Sequence, residues 1–133
     1  MIIMFGTMRR ALPFAERWLE ETKGKGGKIY LATDSVEIFT AVTEFWPEHV
    51  RFRVITRKGV GRGAGSDSIF GPQAAKGVYR EGLDALVDLQ LLAKCDFLVH
   101  SRSTFTEGAL LSAGPRLRQH SCLLSDPVPT RFL

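Results

Sequence analysis

The chain has 133 residues, 44% hydrophobic and 24% charged, with a net charge of +4. That length builds one domain with a single core, and the composition excludes a disordered chain, a membrane bundle and a disulfide scaffold. The small positive excess suits an anionic ligand but falls short of a dedicated nucleic-acid binder. Much of it lies in Arg51 to Arg62 and Arg116 to Arg131. The two cysteines, Cys95 and Cys122, form neither a disulfide framework nor a metal site, and Cys95 reads as a core thiol.

In chain order, Met1 to Phe5 is too short for a signal segment or a membrane span, so a cytoplasmic protein with no membrane partner is expected. Ile2 to Phe5 suits a short strand. Pro13 suits the first turn of a helix running to about Thr22, with Phe14, Trp18 and Leu19 on one face. The glycine-rich run Lys23 to Gly27 ends it. Ile29 to Thr33 reads as a buried strand ending in Asp34-Ser35. A helix from Val36 to Trp46 follows, with Ser35 as N-cap and Pro47 beyond its end.

Arg51 to Thr56 alternates Arg51 and Arg53 outward against Phe52 and Val54 inward, as a half-exposed edge strand does. Arg57 to Gln73 carries five glycines and the basic residues Arg57, Lys58 and Arg62, which predicts one long basic loop. Its glycines match no complete phosphate-loop pattern. Next come a helix to about Lys94, a strand from Asp96 to His100, a helix from Thr104 to about Ala113 and a last strand at Cys122 to Leu124. Strand and helix alternate throughout. The spacing predicts an α/β fold: a Rossmann-like parallel sheet of about four or five strands with flanking helices, residues 1–133 forming one domain.

The candidate chemistry lies in Gly82 to Leu111, where an apolar helix leads through a strand into the polar turn Ser101-Arg102-Ser103-Thr104. Such a turn at a helix N-terminus offers free N–H groups to an anion. Asp88 sits within the apolar run and must find donors. It either faces outward or pairs with Arg80 or Lys94, or else it accepts the N–H donors of a guanine edge. Thr104 to Glu107 matches a capping box, with Thr104 as N-cap and Glu107 reaching back. Asp34 either caps the following element or orients a sugar hydroxyl. His49, His100 and His120 show no metal-ligand spacing, and no metal or cofactor is expected.

Taken together, IYLATDSVEIFTAV, the basic glycine-rich loop and GLDALVDLQLLAKCDFLVHSRSTF resemble the C-terminal donor-binding half of GDP-fucose-dependent fucosyltransferases. The likeness is to the nodulation and core α1,6-fucosyltransferases. It runs from about Lys28 to Ala113, and Thr104 stands sixteen residues after Asp88. The resemblance implies one half of a GT-B fold. It also implies a GDP-sugar site in which Asp88 meets guanine, Ser103 and Thr104 meet the diphosphate, and Asp34 and Ser35 end the strand beside the sugar. That Ser-Thr pair lies within an SxSTF element, Ser101 to Phe105, that looks like the last motif of the α1,2-fucosyltransferases. The family's HxR segment has no counterpart: Arg9 and Arg10 lie only about twenty residues before Tyr30 with no preceding histidine, so no catalytic residue is carried over. The family's N-terminal acceptor domain has no counterpart either. The implied function is a glycosyltransferase donor domain that is active only if a partner chain or a homodimer supplies the other half. The alternative is a non-catalytic nucleotide-sugar or interaction module, or a remnant.

Overall fold

Alternating apolar segments become short parallel strands linked by helices. The structure, a computed structural model, describes residues 2–3, 8–23, 25–33, 35–57, 78–101, 103–116, 119–122 and 125–131. Strand β1 is Ile2–Ile3, followed by helix α1, Met8–Glu21. Strand β2 is Ile29–Leu31, and helix α2, Val36–Thr40, continues as a π turn over Ala41–Phe45. Helix α3, Glu48–Arg51, precedes strand β3, Val54–Ile55. Helix α4, Val78–Ala93, leads to strand β4, Leu98–His100. Helix α5, Thr104–Ala113, ends in a 3-10 turn, and strand β5 is His120–Cys122. The α/β class follows directly.

The strands pair in the order β3-β2-β1-β4-β5, every pairing parallel. The chain therefore works outward on one side through β3 and returns to the other side at β4, so the order reverses between β1 and β4. Ile2 and Ile3 stand at the middle of the sheet, in register with Tyr30 and Leu31 on one side and Leu98 and Val99 on the other.

Side chains alternate across the sheet and define two cores. On one face Ile29, Leu31, Phe97 and Val99 meet Ala11, Phe14, Ala15 and Trp18 of α1, with Val42, Trp46 and Val50. On the other, Ala32 and Leu98 meet Leu92 and Ala93 of α4 and Ala109 and Ala113 of α5, with Tyr30, Leu89 and Phe105 partly buried against them. Helices therefore cover both faces, and β4 is buried along its whole length, as an inner parallel strand is.

Three sequence expectations change. Helix α1 starts at Met8, one and a half turns before Pro13, because its core-facing positions Ala11, Phe14, Ala15 and Trp18 begin ahead of the proline. Pro13 is exposed, so its ring points to solvent and costs the helix one internal hydrogen bond. Residues Arg51 to Arg53 are not strand: Pro47 opens α3, Arg51 is helical and half-buried, and Phe52 is 75% exposed. Strand β3 does lie at the sheet edge. The last strand begins earlier than expected, at His120, and is described over His120–Cys122; Leu123 and Leu124 lie outside the described residues.

The π turn also has a local cause. Thr43 Oγ1 donates to the Phe39 carbonyl at 2.8 Å, drawing the hydroxyl into the helix ladder. The Arg51 guanidinium donates to the Thr43 and Glu44 carbonyls, each at 3.3 Å, and so satisfies groups that the widened turn frees.

Two glycines give opposite expectations. A Cβ on Gly27 would lie 2.8 Å from Thr22 Cβ and collide with Oγ1 of the same side chain, which is held by its bond to the Trp18 carbonyl. Gly27→Ala should destabilise the fold by roughly 1–3 kcal/mol. Gly82, exposed within α4, has open space around it, so Gly82→Ala should stabilise by roughly 0.5–1 kcal/mol. Urea denaturation of both variants measures the difference.

Candidate functional site

All five strands run the same way, so the segments that follow them share one edge of the sheet. Ligands of open parallel sheets bind at that edge, where the strand order reverses. The described residues arriving there include Thr33 and Ser35 after β2, Arg57 after β3, Ser101 and Ser103 after β4, and Asp126 after β5. Asp34 and the loop from Lys58 to Gln73, Arg62 included, lie outside the described residues.

Ser35 caps α2. Its Oγ accepts the Ile38 N–H at 3.2 Å and donates to Glu37 Oε2 at 2.7 Å, and its own N–H donates to Thr33 Oγ1 at 3.1 Å. At the start of α5 the cap is Ser103, not Thr104. Ser103 has extended backbone, and its Oγ accepts the Thr106 N–H at 3.1 Å. It also lies 2.8 Å from the buried Thr106 Oγ1. The cap falls one residue earlier than expected because Thr106 hydroxyl and amide both converge on Ser103, a pairing that Thr104 and Glu107 would have to replace. Glu107 is exposed, and its backbone N–H donates to the Ser103 carbonyl at 3.0 Å. Thr104 is exposed at the first helical position, while Phe105 packs partly buried in the α4–α5 core. The Ser101 carbonyl accepts the His100 Nδ1–H at 2.9 Å.

Asp88 belongs to a different cluster on the same face of the sheet. Tyr30 Oη donates to Asp88 Oδ1 at 2.6 Å, and Arg57 Nη1 donates to the same oxygen at 3.3 Å. Arg57 also donates to the Asp84 carbonyl at 2.8 Å and pairs with the Asp84 carboxylate. The side chain of Asp88 is 15% exposed and that of Arg57 24%, so this pairing is partly buried. Its partners among the described residues are Tyr30 and Arg57, not Lys94, and both end on Oδ1. Oδ2 has no partner among those residues. These bonds tie β2, the residues after β3 and α4 together, and they do not join Asp88 to Ser101, Ser103 or Thr104.

The charges respond to this packing. Burial, then the Asp88 hydrogen bond, raises the Tyr30 phenol above its ordinary value of 10.0, so it stays a donor. The Asp84 hydrogen bond, ahead of the one to Asp88, raises the Arg57 guanidinium. Burial raises the Cys95 thiol, which is free, packs partly buried against the α4–α5 core and donates to the Leu91 carbonyl at 3.2 Å. Sequence reasoning missed Tyr30 as the acid's partner. The available signal was its place in β2 on the face opposite Ile29 and Leu31, where α4 must lie.

Among the described residues no group of three His, Cys, Asp or Glu side chains could hold a metal ion. None of the described helices is long and apolar enough to cross a membrane. A notch of about 150 Å³ lined by Leu19, Thr22, Lys23, Gly27, His49 and Arg53 lies toward the opposite edge of the sheet. Comparisons with protein-family models, curated proteins and solved structures find no match for the chain.

Two measurements check this geometry. Ser103→Ala should cost about 1 kcal/mol of stability, and Thr104→Ala less than about 0.5 kcal/mol. Asp88→Asn should lower the Tyr30 phenol toward its ordinary value, read from its ring carbon shifts during an alkaline titration. Because folding holds that phenol neutral, its contribution to stability is complete below 10.0 and is lost as pH rises through the raised folded value.

Proposed function

We propose that this chain is a Rossmann-like GDP-sugar-binding domain, GDP-fucose-like in its ligand, forming the donor half of a GT-B glycosyltransferase. The observation that carries the proposal is the strand order. It reverses between β1 and β4, and the Ser103-capped N-terminus of α5 follows β4 on the carboxyl edge. In this reading the diphosphate lies against the first turn of α5, near Ser101, Ser103, Thr104 and Phe105. The sugar extends toward Asp34 and Ser35. Asp88 offers Oδ2 to the N–H donors of a guanine edge, an assignment supported by both described bonds falling on Oδ1. Transfer would require a partner chain or second copy to supply the acceptor-side wall, where positive groups stabilise the departing diphosphate.

A second reading is favoured by the same acid. Tyr30 and Arg57 satisfy Asp88 from within the fold, as they would in a non-catalytic module or remnant in which the acid only anchors α4. Calorimetric titration separates the two. The donor-domain reading expects GDP to bind in preference to UDP and ADP, and Asp88→Ala to weaken binding at least about tenfold. That variant must stay folded by circular dichroism. Absence of nucleotide binding to the folded chain supports the second reading.

A further inference from the structure

His100 and His120 take no part in the proposed nucleotide site, yet they meet. His100 closes β4, is buried, and lies on the same face of the sheet as Leu98. His120 opens β5 and is exposed. His100 Nε2 lies 3.0 Å from His120 Nδ1, and the two ring centroids are 5.1 Å apart.

The protons in this contact follow from the third partner. The Ser101 carbonyl, 2.9 Å from His100 Nδ1, can only accept, so Nδ1 carries a proton. In the neutral pair, His100 Nε2 is then an acceptor, and His120 Nδ1–H donates to it. One added proton is accommodated. It sits on the exposed His120 ring with this bond intact, or on His100 Nε2 with His120 Nδ1 as acceptor. A second added proton is not accommodated, because two N–H groups would then face each other across 3.0 Å. The two rings would also both be cations, one of them buried.

The surroundings set when that happens. Burial is the main effect on His100 and lowers its pKa from the ordinary 6.5, with His120 acting in the same direction. Opposing them are the Ser101 carbonyl and Asp126. Asp126 is itself engaged by the Cys122 N–H at 2.6 Å and the Ser125 hydroxyl at 3.0 Å. From α5 the one charged side chain is Glu107, which is exposed, and the buried residues that α4 and α5 turn toward the sheet are Leu92, Ala93, Ala109 and Ala113.

We propose that the His100–His120 pair is an acid-released latch on the edge strand. It holds β5 to β4 while the pair carries at most one charge, and it parts when both rings are protonated. Among the described residues β5 lies at the sheet edge and pairs with β4 over three positions, so a repulsive contact between the first residue of β5 and the last of β4 acts directly on that pairing. Release would bare the β4 edge and loosen the segment after β5, which the Arg17 guanidinium also holds by donating to the Thr130 carbonyl at 2.6 Å. The sign is fixed by the lowered value. The stabilisation is complete above the ordinary 6.5 and is lost as pH falls through the folded-state pKa of His100.

Nitrogen NMR and amide exchange on the full chain test the latch. At about pH 7.5, well above the ordinary imidazole value, His100 should be the Nδ1–H tautomer. From about pH 7 to pH 5, the protection of the β5 amides, corrected for intrinsic exchange, should fall at least about tenfold while that of β2 holds. In His120→Asn, whose amide still donates but cannot become a cation, the fall should shrink below about threefold. An Nε2–H tautomer at His100, flat β5 protection across that range, or an equal fall in His120→Asn would overturn the proposal. The tautomer is read on the unaltered protein and decides the matter even if the variant does not fold.

Discussion

One carboxylate oxygen holds three segments of this fold together. Asp88 Oδ1 receives the Tyr30 hydroxyl from β2 and the Arg57 guanidinium from the end of β3, while Asp88 itself rides on α4. Helix α4 needs that anchor. Its inner face is fixed by Leu92 and Ala93, but Leu83, Leu86 and Val87 are exposed, so apolar burial alone leaves the helix free to roll. A directional, charge-assisted bond to the sheet removes that freedom. Helix α5 then follows α4, because Gly108 lets the two approach so closely that a Cβ there would lie 3.2 Å from Leu89 Cδ1, tighter than ordinary packing.

The carboxyl edge inherits its geometry from that arrangement. With α4 and α5 fixed over β2 and β4, Ser103 presents the first turn of α5 beside the end of β4, and Ser35 presents α2 beside the end of β2. Each hydroxyl is committed to a backbone N–H, so these turns are rigid before any ligand arrives. The proposed nucleotide would therefore meet a preorganised diphosphate end. At its base end it would meet an acid already held by two internal donors. The histidine pair adds a second kind of control at the far edge, where it joins β4 to the outermost strand β5.

Much of this was legible in the sequence because it rests on local patterning. The apolar runs around Ile29, Leu86 and Leu98, the cap at Ser35 and the turn before α5 all announce themselves within a few residues. The N-terminus of α1 did not, because Pro13 reads as a start signal and only packing shows that Ala11 already faces the core. Arg51 to Arg53 mimicked a strand, since two arginines alternating with apolar residues also suit the end of a helical turn. The cap of α5 slipped by one residue because Thr106, not Glu107, completes it. The Tyr30–Asp88–Arg57 cluster and the histidine pair join residues at least twenty positions apart. No local pattern encodes such pairs, and only the order in which the strands pair brings them together.

Backbone amide shift mapping of the labelled chain on addition of GDP tests the central claim most directly. The account predicts shifts concentrated in the first turn of α5, around Ser103 to Thr106, and at Tyr30 and Asp88. Shifts centred on the notch near Gly27 and His49, or none at all, would contradict a nucleotide site on the carboxyl edge of the sheet.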